Sequence, residues 1–218
     1  MKTAAHRIVA VTCAAVLAAA CSPGGSSSSA PPASQEPARA AAAPASAAPA
    51  TDSRFRRTLE LQGVTFTLTC DNDSSINQLS IVASGLEGDN TPISQDVDGT
   101  VAGAEVGDLN VDGSPEVYVF VQSAGSGSYG SLVAYAVNNR KSLSAIYLPP
   151  VTENEKAAKG YMGHDDFAVV ENRLVQRFPV YRDGDTNAKP TGGTRQLQYK
   201  LVAGEAGWKL VVDRVVEY

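Results

Sequence analysis

Apolar and polar side chains alternate along much of the chain from residue 55 onward. The alternation runs through residues 55–61 and 64–70, which are separated only by Gln62 and Gly63. A period of two predicts half-buried strands, and a two-residue junction with glycine predicts a tight hairpin. Further β-prone segments follow at short intervals and predict strands at residues 79–83, 116–121, 132–137, 143–148, 167–170, 174–181, 195–202 and 208–218.

Two segments depart from this pattern. Residues 93–106 are extended but contain Gly99 and Gly103, which predicts a bulge or a change of sheet. Residues 151–159 contain several Glu, Lys and Ala residues, which predicts one short helix. Short strands at regular spacing with one short helix predict an all-β fold, either an antiparallel sandwich or a barrel.

The first residues have the features of an export signal. Lys2 and Arg7 precede an apolar run at 8–20, which is too short to span a membrane, and small residues lead up to Cys21. We therefore predict a signal peptide at residues 1–20 of the lipoprotein type, with acylation of Cys21 anchoring the protein to a membrane. Ordinary cleavage with release of a soluble protein is the alternative, and both routes export the chain.

The next segment, residues 22–51, consists mainly of Ser, Pro and Ala. Such a segment has little apolar surface to bury, which predicts a disordered linker. Residues 52–218 are then the right length for one domain with a sizeable core.

The predicted domain is acidic. Subtracting Lys2, Arg7 and Arg39 leaves 15 of the 18 basic residues, and subtracting Glu36 leaves 22 of the 23 acidic ones, so residues 52–218 carry −7 against −5 for the whole chain. Nucleic acid requires a basic surface, so this charge argues against nucleic-acid binding. It is compatible with a cationic protein partner.

Cysteine usage excludes an intramolecular disulfide in the predicted domain. Cys13 belongs to the signal and Cys21 is the acylation candidate, which leaves Cys70. A lone cysteine at the end of a β-prone run is typical of a small buried apolar residue. If exposed, Cys70 could link two chains into a homodimer.

One loop has the composition of a calcium site. Asp108, Asn110 and Asp112 alternate, a glycine follows, and Glu116 comes three residues later. Oxygen side chains around a sharp turn are the ligands that calcium prefers. A strand follows and Val119 stands where the helix-loop-helix motif has its bidentate Glu, so we expect either a short calcium loop between strands or an Asp-Gly turn whose carboxylates cap backbone amides.

No constellation of catalytic residues is evident. His164 is the only histidine outside the predicted signal peptide, and Asp165 and Asp166 adjoin it. This set lacks the further His or Cys ligands of a zinc site, and no spacing pairs two carboxylates as in a glycosidase. We therefore predict that the protein is not an enzyme and that His164 is a surface or capping residue. A cell-wall hydrolase is the weaker alternative.

The segment 122–131, Gln-Ser-Ala-Gly-Ser-Gly-Ser-Tyr-Gly-Ser, is named here the Ser-Gly loop. It joins two of the most β-prone runs in the chain, so both of its ends should be held by core strands. Its glycines permit unusual backbone conformations, its serines offer hydroxyls, and Tyr129 combines apolar area with a polar tip. This composition is typical of a binding loop, and a solvated hairpin connection is the alternative.

The motif Ser126-Gly127-Ser128-Tyr129 in this setting resembles that of the periplasmic inhibitors of I-type (invertebrate) lysozyme from Gram-negative bacteria. The resemblance extends through most of the predicted domain, and its most distinctive stretches are residues 55–63, 102–106, 112–116, 126–135, 160–165, 190–195 and 215–218.

This resemblance implies a periplasmic β-sandwich protein that inhibits I-type lysozyme and so protects the bacterial cell wall from host defence. It implies that the loop Ser126-Gly127-Ser128-Tyr129 enters the active-site cleft of the lysozyme, with Ser126 and Tyr129 contributing most. The alternative function is a calcium-dependent binding module of the cell envelope, based on Asp108, Asn110, Asp112 and Glu116. Apart from this calcium, no cofactor is expected.

Overall fold

The computed structural model describes residues 53–205 and 207–218, and almost all of its regular structure is β. The predicted signal peptide 1–20, the lipidation candidate Cys21 and the linker 22–51 lie outside the described residues. The strands are β1 (Phe55–Leu61), β2 (Val64–Cys70), β3 (Ile76–Ser84), β4 (Ile93–Asp98), β5 (Thr100–Gly107), β6 (Glu116–Gln122), β7 (Gly130–Asn138), β8 (Ser142–Tyr147), β9 (Asp166–Val170), β10 (Arg173–Pro179), β11 (Thr194–Gly204) and β12 (Gly207–Glu217).

The strands form two sheets, which confirms the all-β fold. The first sheet has the order β1-β2-β3-β4, and the second has the order β5-β6-β7-β8-β12-β11-β10-β9. Every pair of neighbours is antiparallel except β8 and β12, which run parallel over two residue pairs. The predicted β1-β2 hairpin turns at Gln62 and Gly63, both with positive φ, as a two-residue hairpin requires.

The chain passes from the first sheet to the second at Gly99. The φ of this residue is +119°, and a Cβ there would lie 2.1 Å from the carbonyl oxygen of Gln122. A bulge between Val101 and Gly103 then shifts the register of β5 against β6. The expected change of sheet and the expected bulge are both present, because glycine alone permits this backbone and this close approach.

The second sheet curls until its two edge strands meet. The backbone N–H of Val169 in β9 donates to the carboxylate of Glu105 in β5. Gly107 leaves room for the Val169 side chain, which lies 3.1 Å from where a Cβ of Gly107 would stand. One apolar core lies inside the curled second sheet. A second core lies between the outer face of that sheet and the four-stranded sheet, which covers part of it.

Strand β6 is buried on both faces. Val117, Val119 and Val121 belong to the core shared with the four-stranded sheet, whereas Tyr118 and Phe120 belong to the core inside the curled sheet. This explains why β6 is apolar at nearly every position instead of alternating.

The predicted helix is short. A 3₁₀ turn at Val151–Glu153 leads into α1 at Glu155–Ala158, and the Asn154 side chain caps α1 by accepting from the Ala157 N–H at 3.2 Å. The buried Arg195 donates to the Ala157 carbonyl at 2.8 Å and so fixes α1 to β11. Within the described residues, no helix has the length and apolarity needed to cross a membrane.

The Cys70 side chain is buried at the end of β2 with 3% exposure, as expected. A disulfide-linked homodimer would require this thiol to leave the core. The homodimer therefore stays a prediction without structural support.

We predict that Leu79→Ala in β3 lowers the free energy of unfolding by about 2–5 kcal/mol, because it leaves a cavity in the core between the sheets. Val82→Ala in the same strand, where the side chain is 36% exposed, should change it by about 0.5 kcal/mol or less. Chemical denaturation of both variants measures the difference. Equal losses would contradict the assignment of the two faces of β3.

Candidate functional site

The Ser-Gly loop connects the end of β6 with the start of β7 and is ordered by hydrogen bonds of its own. The Ser123 N–H donates to the Tyr129 carbonyl at 3.0 Å, and the Ser128 N–H donates to the Gly125 carbonyl at 2.9 Å. The Gln122 side chain donates to the Ser128 carbonyl at 3.2 Å. The loop is therefore a folded turn held at both ends by core strands.

A second loop, residues 160–165, supports the Ser-Gly loop from one side. The His164 N–H donates to the Gly127 carbonyl at 2.8 Å. The Gly130 N–H donates to a carboxylate oxygen of Asp165 at 2.8 Å. We name residues 160–165 the support loop.

A third contact comes from the segment between β10 and β11. The Asn187 side-chain amide donates to the Ser126 carbonyl at 2.6 Å, and its oxygen lies 3.0 Å from Nε2 of His164. The Tyr181 hydroxyl donates to the Asn187 carbonyl at 2.9 Å. His164 therefore joins the support loop to Asn187, which is a positioning role like the capping role predicted from the sequence.

Asp165 is the centre of a buried polar network below the loop. Its carboxylate accepts from Gly130, from the Tyr161 hydroxyl at 2.8 Å and from the Gln176 side chain at 2.6 Å. The Tyr199 hydroxyl in turn donates to Gln176 at 2.6 Å. Burial raises the pKa of Asp165, and the hydrogen bonds from its three donors oppose that rise.

All four carbonyls of the Ser126-Gly127-Ser128-Tyr129 motif accept hydrogen bonds from the protein itself. The hydroxyls of Ser126 and Tyr129 and the N–H groups of Gly127 and Tyr129 have no partner among the described residues. The motif thus uses its carbonyl acceptors internally and leaves these four donors free. A loop of this kind is suited to a partner that presents oxygen acceptors.

The Tyr129 ring projects from the loop with 48% of the residue exposed. Its edge-to-face contact with the Tyr161 ring, at a centroid distance of 5.7 Å, fixes its direction. Beside it lies a groove of about 380 Å³ whose apolar lining includes Leu132, Leu148 and Pro149. The ring and the groove form one continuous surface on which a partner could rest.

Gly163 in the support loop permits this arrangement. Its φ is +87°, and a Cβ there would lie 2.2 Å from the Gly127 carbonyl oxygen and 3.1 Å from the Tyr129 ring. Sequence reasoning identified the Ser-Gly loop but missed the support loop as its platform. The signal available in the sequence was the pair Gly160 and Gly163 around Tyr161.

Residues 108–116, named here the acidic loop, lie at the other end of β6. Carboxylate oxygens of Asp108, Asp112 and Glu116 lie within 4.8 Å of one another. Asp108 also accepts from the N–H groups of Asp112 and Gly113, each at 3.0 Å, as in the capping turn considered from the sequence. The structure thus brings the three carboxylates together and separates them from the Ser-Gly loop.

We predict that Gly163→Ala loosens the Ser-Gly loop because the added methyl group displaces the Gly127 carbonyl. Amide hydrogen exchange should become faster at Ser123 and Ser128, whose N–H groups bond within the Ser-Gly loop, and at His164, whose N–H joins the support loop to it.

The matched control is Gly184→Ala. Gly184 has a similar φ of +88° but no atom within 4 Å of its Cβ position, so this variant bears the backbone strain alone. Equal exchange rates in the two variants would contradict the support-loop contact.

Comparison with known protein families gives one match. The family described as "Periplasmic lysozyme inhibitor of I-type lysozyme" matches residues 93–159, which include both the acidic loop and the Ser-Gly loop. Searches of the curated proteins and of the solved structures found no match. The resemblance inferred from the sequence is thereby confirmed over residues 93–159, which are similar to the family of periplasmic inhibitors of I-type lysozyme.

Proposed function

We propose that this protein inhibits I-type lysozyme by inserting the loop Ser126-Gly127-Ser128-Tyr129 into the active-site cleft of the enzyme. The observation that carries the proposal is the loop itself, whose backbone is fixed while two hydroxyls and the Tyr129 ring face solvent. The loop lies within the segment that matches the lysozyme-inhibitor family.

The chemistry of the loop complements that of a lysozyme cleft. Such a cleft hydrolyses glycosidic bonds with one protonated carboxylic acid and one carboxylate in a groove shaped for sugar rings. The free donors of Ser126, Gly127 and Tyr129 can bond to carboxylate oxygens, and a hydroxyl can also accept from the protonated acid. The phenol ring of Tyr129 can fill the space of a sugar ring while its hydroxyl bonds at the far end.

Pre-ordering of the loop favours tight binding. Its carbonyls are bonded to Ser123, Gln122, His164 and Asn187 before any partner arrives. Less conformational entropy is lost on association when the binding conformation already exists. The apolar groove beside Tyr129 would add contact area at the rim of the cleft.

Charge and export support the same function. The net charge of −7 on residues 52–218 would steer the protein toward a basic lysozyme and raise the association rate. The predicted signal peptide would deliver the chain to the periplasm, where an inhibitor protects peptidoglycan. Acylation of Cys21, with residues 22–51 as a tether, would keep it at a membrane.

The alternatives receive less support. The comparisons give no support to a calcium-dependent binding module of the cell envelope. They also give none to a cell-wall hydrolase, because the matched family consists of inhibitors instead of enzymes.

We predict that the purified chain slows the lysis of cell walls by an I-type lysozyme. Ser126→Ala and Tyr129→Ala should each weaken inhibition by about 2 kcal/mol, roughly 30-fold in the inhibition constant, if they are the central contacts. Tyr129→Phe keeps the ring and removes the hydroxyl, so its loss should be smaller than that of Tyr129→Ala. Inhibition constants from lysis rates measure all three.

The matched controls lie away from the loop. Tyr218→Ala removes a tyrosine with 67% exposure, and Ser94→Ala removes an exposed serine of β4, so both should inhibit like the original protein. Unchanged lysis at micromolar protein would overturn the proposed function. Full inhibition by the double variant Ser126→Ala/Tyr129→Ala would place the contact elsewhere on the surface.

A further inference from the structure

We propose that the acidic loop between β5 and β6 binds one calcium ion through Asp108, Asn110, Asp112 and Glu116. Nine residues span this set, and the carboxylate oxygens of its three acidic members lie within 4.8 Å of one another. This separation lets a single ion contact all three, since calcium binds oxygen at about 2.3–2.6 Å.

The Glu116 side chain is the first observation that favours an ion. The residue is 1% exposed, and its carboxylate forms no ion pair with a basic side chain among the described residues. One of its oxygens accepts from the Leu109 N–H at 2.8 Å and from the Tyr118 hydroxyl at 3.3 Å. A buried carboxylate normally has a cationic partner, because burial without one is costly.

Neighbouring charges increase that cost. The carboxylate oxygens of Asp108 and Asp112 lie within 4.8 Å of that of Glu116, and negative charges this close repel one another. A divalent cation would compensate the three negative charges at once.

The Asn110 side chain is the second and independent observation. Its oxygen is buried and has no hydrogen-bond donor among the described residues. Its nitrogen donates to a carboxylate oxygen of Asp112 at 2.7 Å, so the amide group lies directly beside the carboxylates. Buried polar atoms are almost always partnered, and an amide oxygen is a good calcium ligand.

A capping turn without metal explains only part of this arrangement. It accounts for the bonds from backbone N–H groups to Asp108 and from the Ser114 N–H to Asp112 at 2.8 Å. It gives no reason for the buried charge of Glu116 or for the unpartnered oxygen of Asn110. An ion accounts for both.

The ligand types select calcium. The four side chains offer only oxygen, which disfavours zinc, because zinc prefers nitrogen and sulfur. Calcium accepts six to eight oxygen ligands in flexible geometry, so backbone carbonyls and water can complete the shell of an exposed loop. Magnesium requires a near-ideal octahedron and retains its water more strongly.

Such an ion would stabilise the junction of the two sheets. The Gln62 side chain in the β1-β2 hairpin donates to Asp108 at 2.7 Å, while Glu116 is the first residue of β6. The ion would thus connect the hairpin, the loop and the central strand. The Ser-Gly loop follows the opposite end of β6, about 20 Å away at the usual rise per residue, so this inference does not depend on the proposed inhibition.

The test is a thermal melt of the purified chain in calcium chloride, in magnesium chloride and in chelator, with calorimetric titration of calcium alone. We expect binding of one ion, and a midpoint about 5–10 °C higher in calcium at a hundred times its dissociation constant. No heat of binding together with an unchanged midpoint would overturn the proposal. Equal shifts in magnesium and calcium would overturn the assignment to calcium.

Three variants locate the site. Asp112→Asn and Glu116→Gln should each weaken calcium binding by roughly tenfold or more, because affinity follows the charge of the ligands. Asn110→Ala removes the unpartnered oxygen and only one hydrogen bond. This variant should therefore fold normally but bind calcium less tightly than the original protein. In chelator, Glu116→Gln should melt no lower than the original protein, because it removes a buried charge and keeps an acceptor for Leu109.

The control is Asp89→Asn in the loop between β3 and β4. Its carboxylate caps the Thr91 N–H at 2.9 Å but lies outside the cluster, so this variant should keep the full calcium shift. A shift that survives in all three site variants would overturn the proposal. Lysozyme inhibition well below the melting temperature should be equal with and without calcium, so failure of either inference leaves the other standing.

Discussion

Burial of β6 on both faces is the constraint on which the rest of the structure depends. A strand with one buried face needs apolar residues only at alternate positions, whereas β6 must supply Val117, Val119 and Val121 to one core and Tyr118 and Phe120 to the other. Because strands packed on two sides have little freedom to move, the two loops at the ends of β6 begin from fixed positions. The acidic loop precedes this strand and the Ser-Gly loop follows it.

The binding role proposed for the Ser-Gly loop depends on where its hydrogen bonds go. In an exposed polar loop, donors and acceptors alike usually form hydrogen bonds with water. Here the carbonyls of residues 126–129 are bonded inward, while the hydroxyls of Ser126 and Tyr129 are not. The buried Asp165 network below the loop is costly to form, and its three donors offset that cost. The result is a surface rich in donors at an otherwise acidic molecule.

Local patterns predicted the strands, the Gln62-Gly63 hairpin, the sheet change at Gly99 and the short helix, because each depends on neighbours in the sequence. The parallel pairing of β8 with β12 and the curl that joins Glu105 to Val169 connect residues more than 60 positions apart, and no period in the sequence encodes them. The same limit applies to the site. Composition identified the Ser-Gly loop, but the contact of His164 with Gly127 arises only when two distant loops meet.

A rigid strand between two loops does not by itself couple them. Coupling requires an element with two discrete arrangements whose balance each site shifts. The acidic loop contacts β6 through Glu116 and the first sheet through Gln62, whereas the Ser-Gly loop is supported by residues 160–165 and by Asn187. The two sets of contacts share β6, and its burial on both faces favours one arrangement. An ion at one end would therefore change how long the frame survives heat or denaturant, while recognition at the other end would depend on the groups that Ser126 and Tyr129 present.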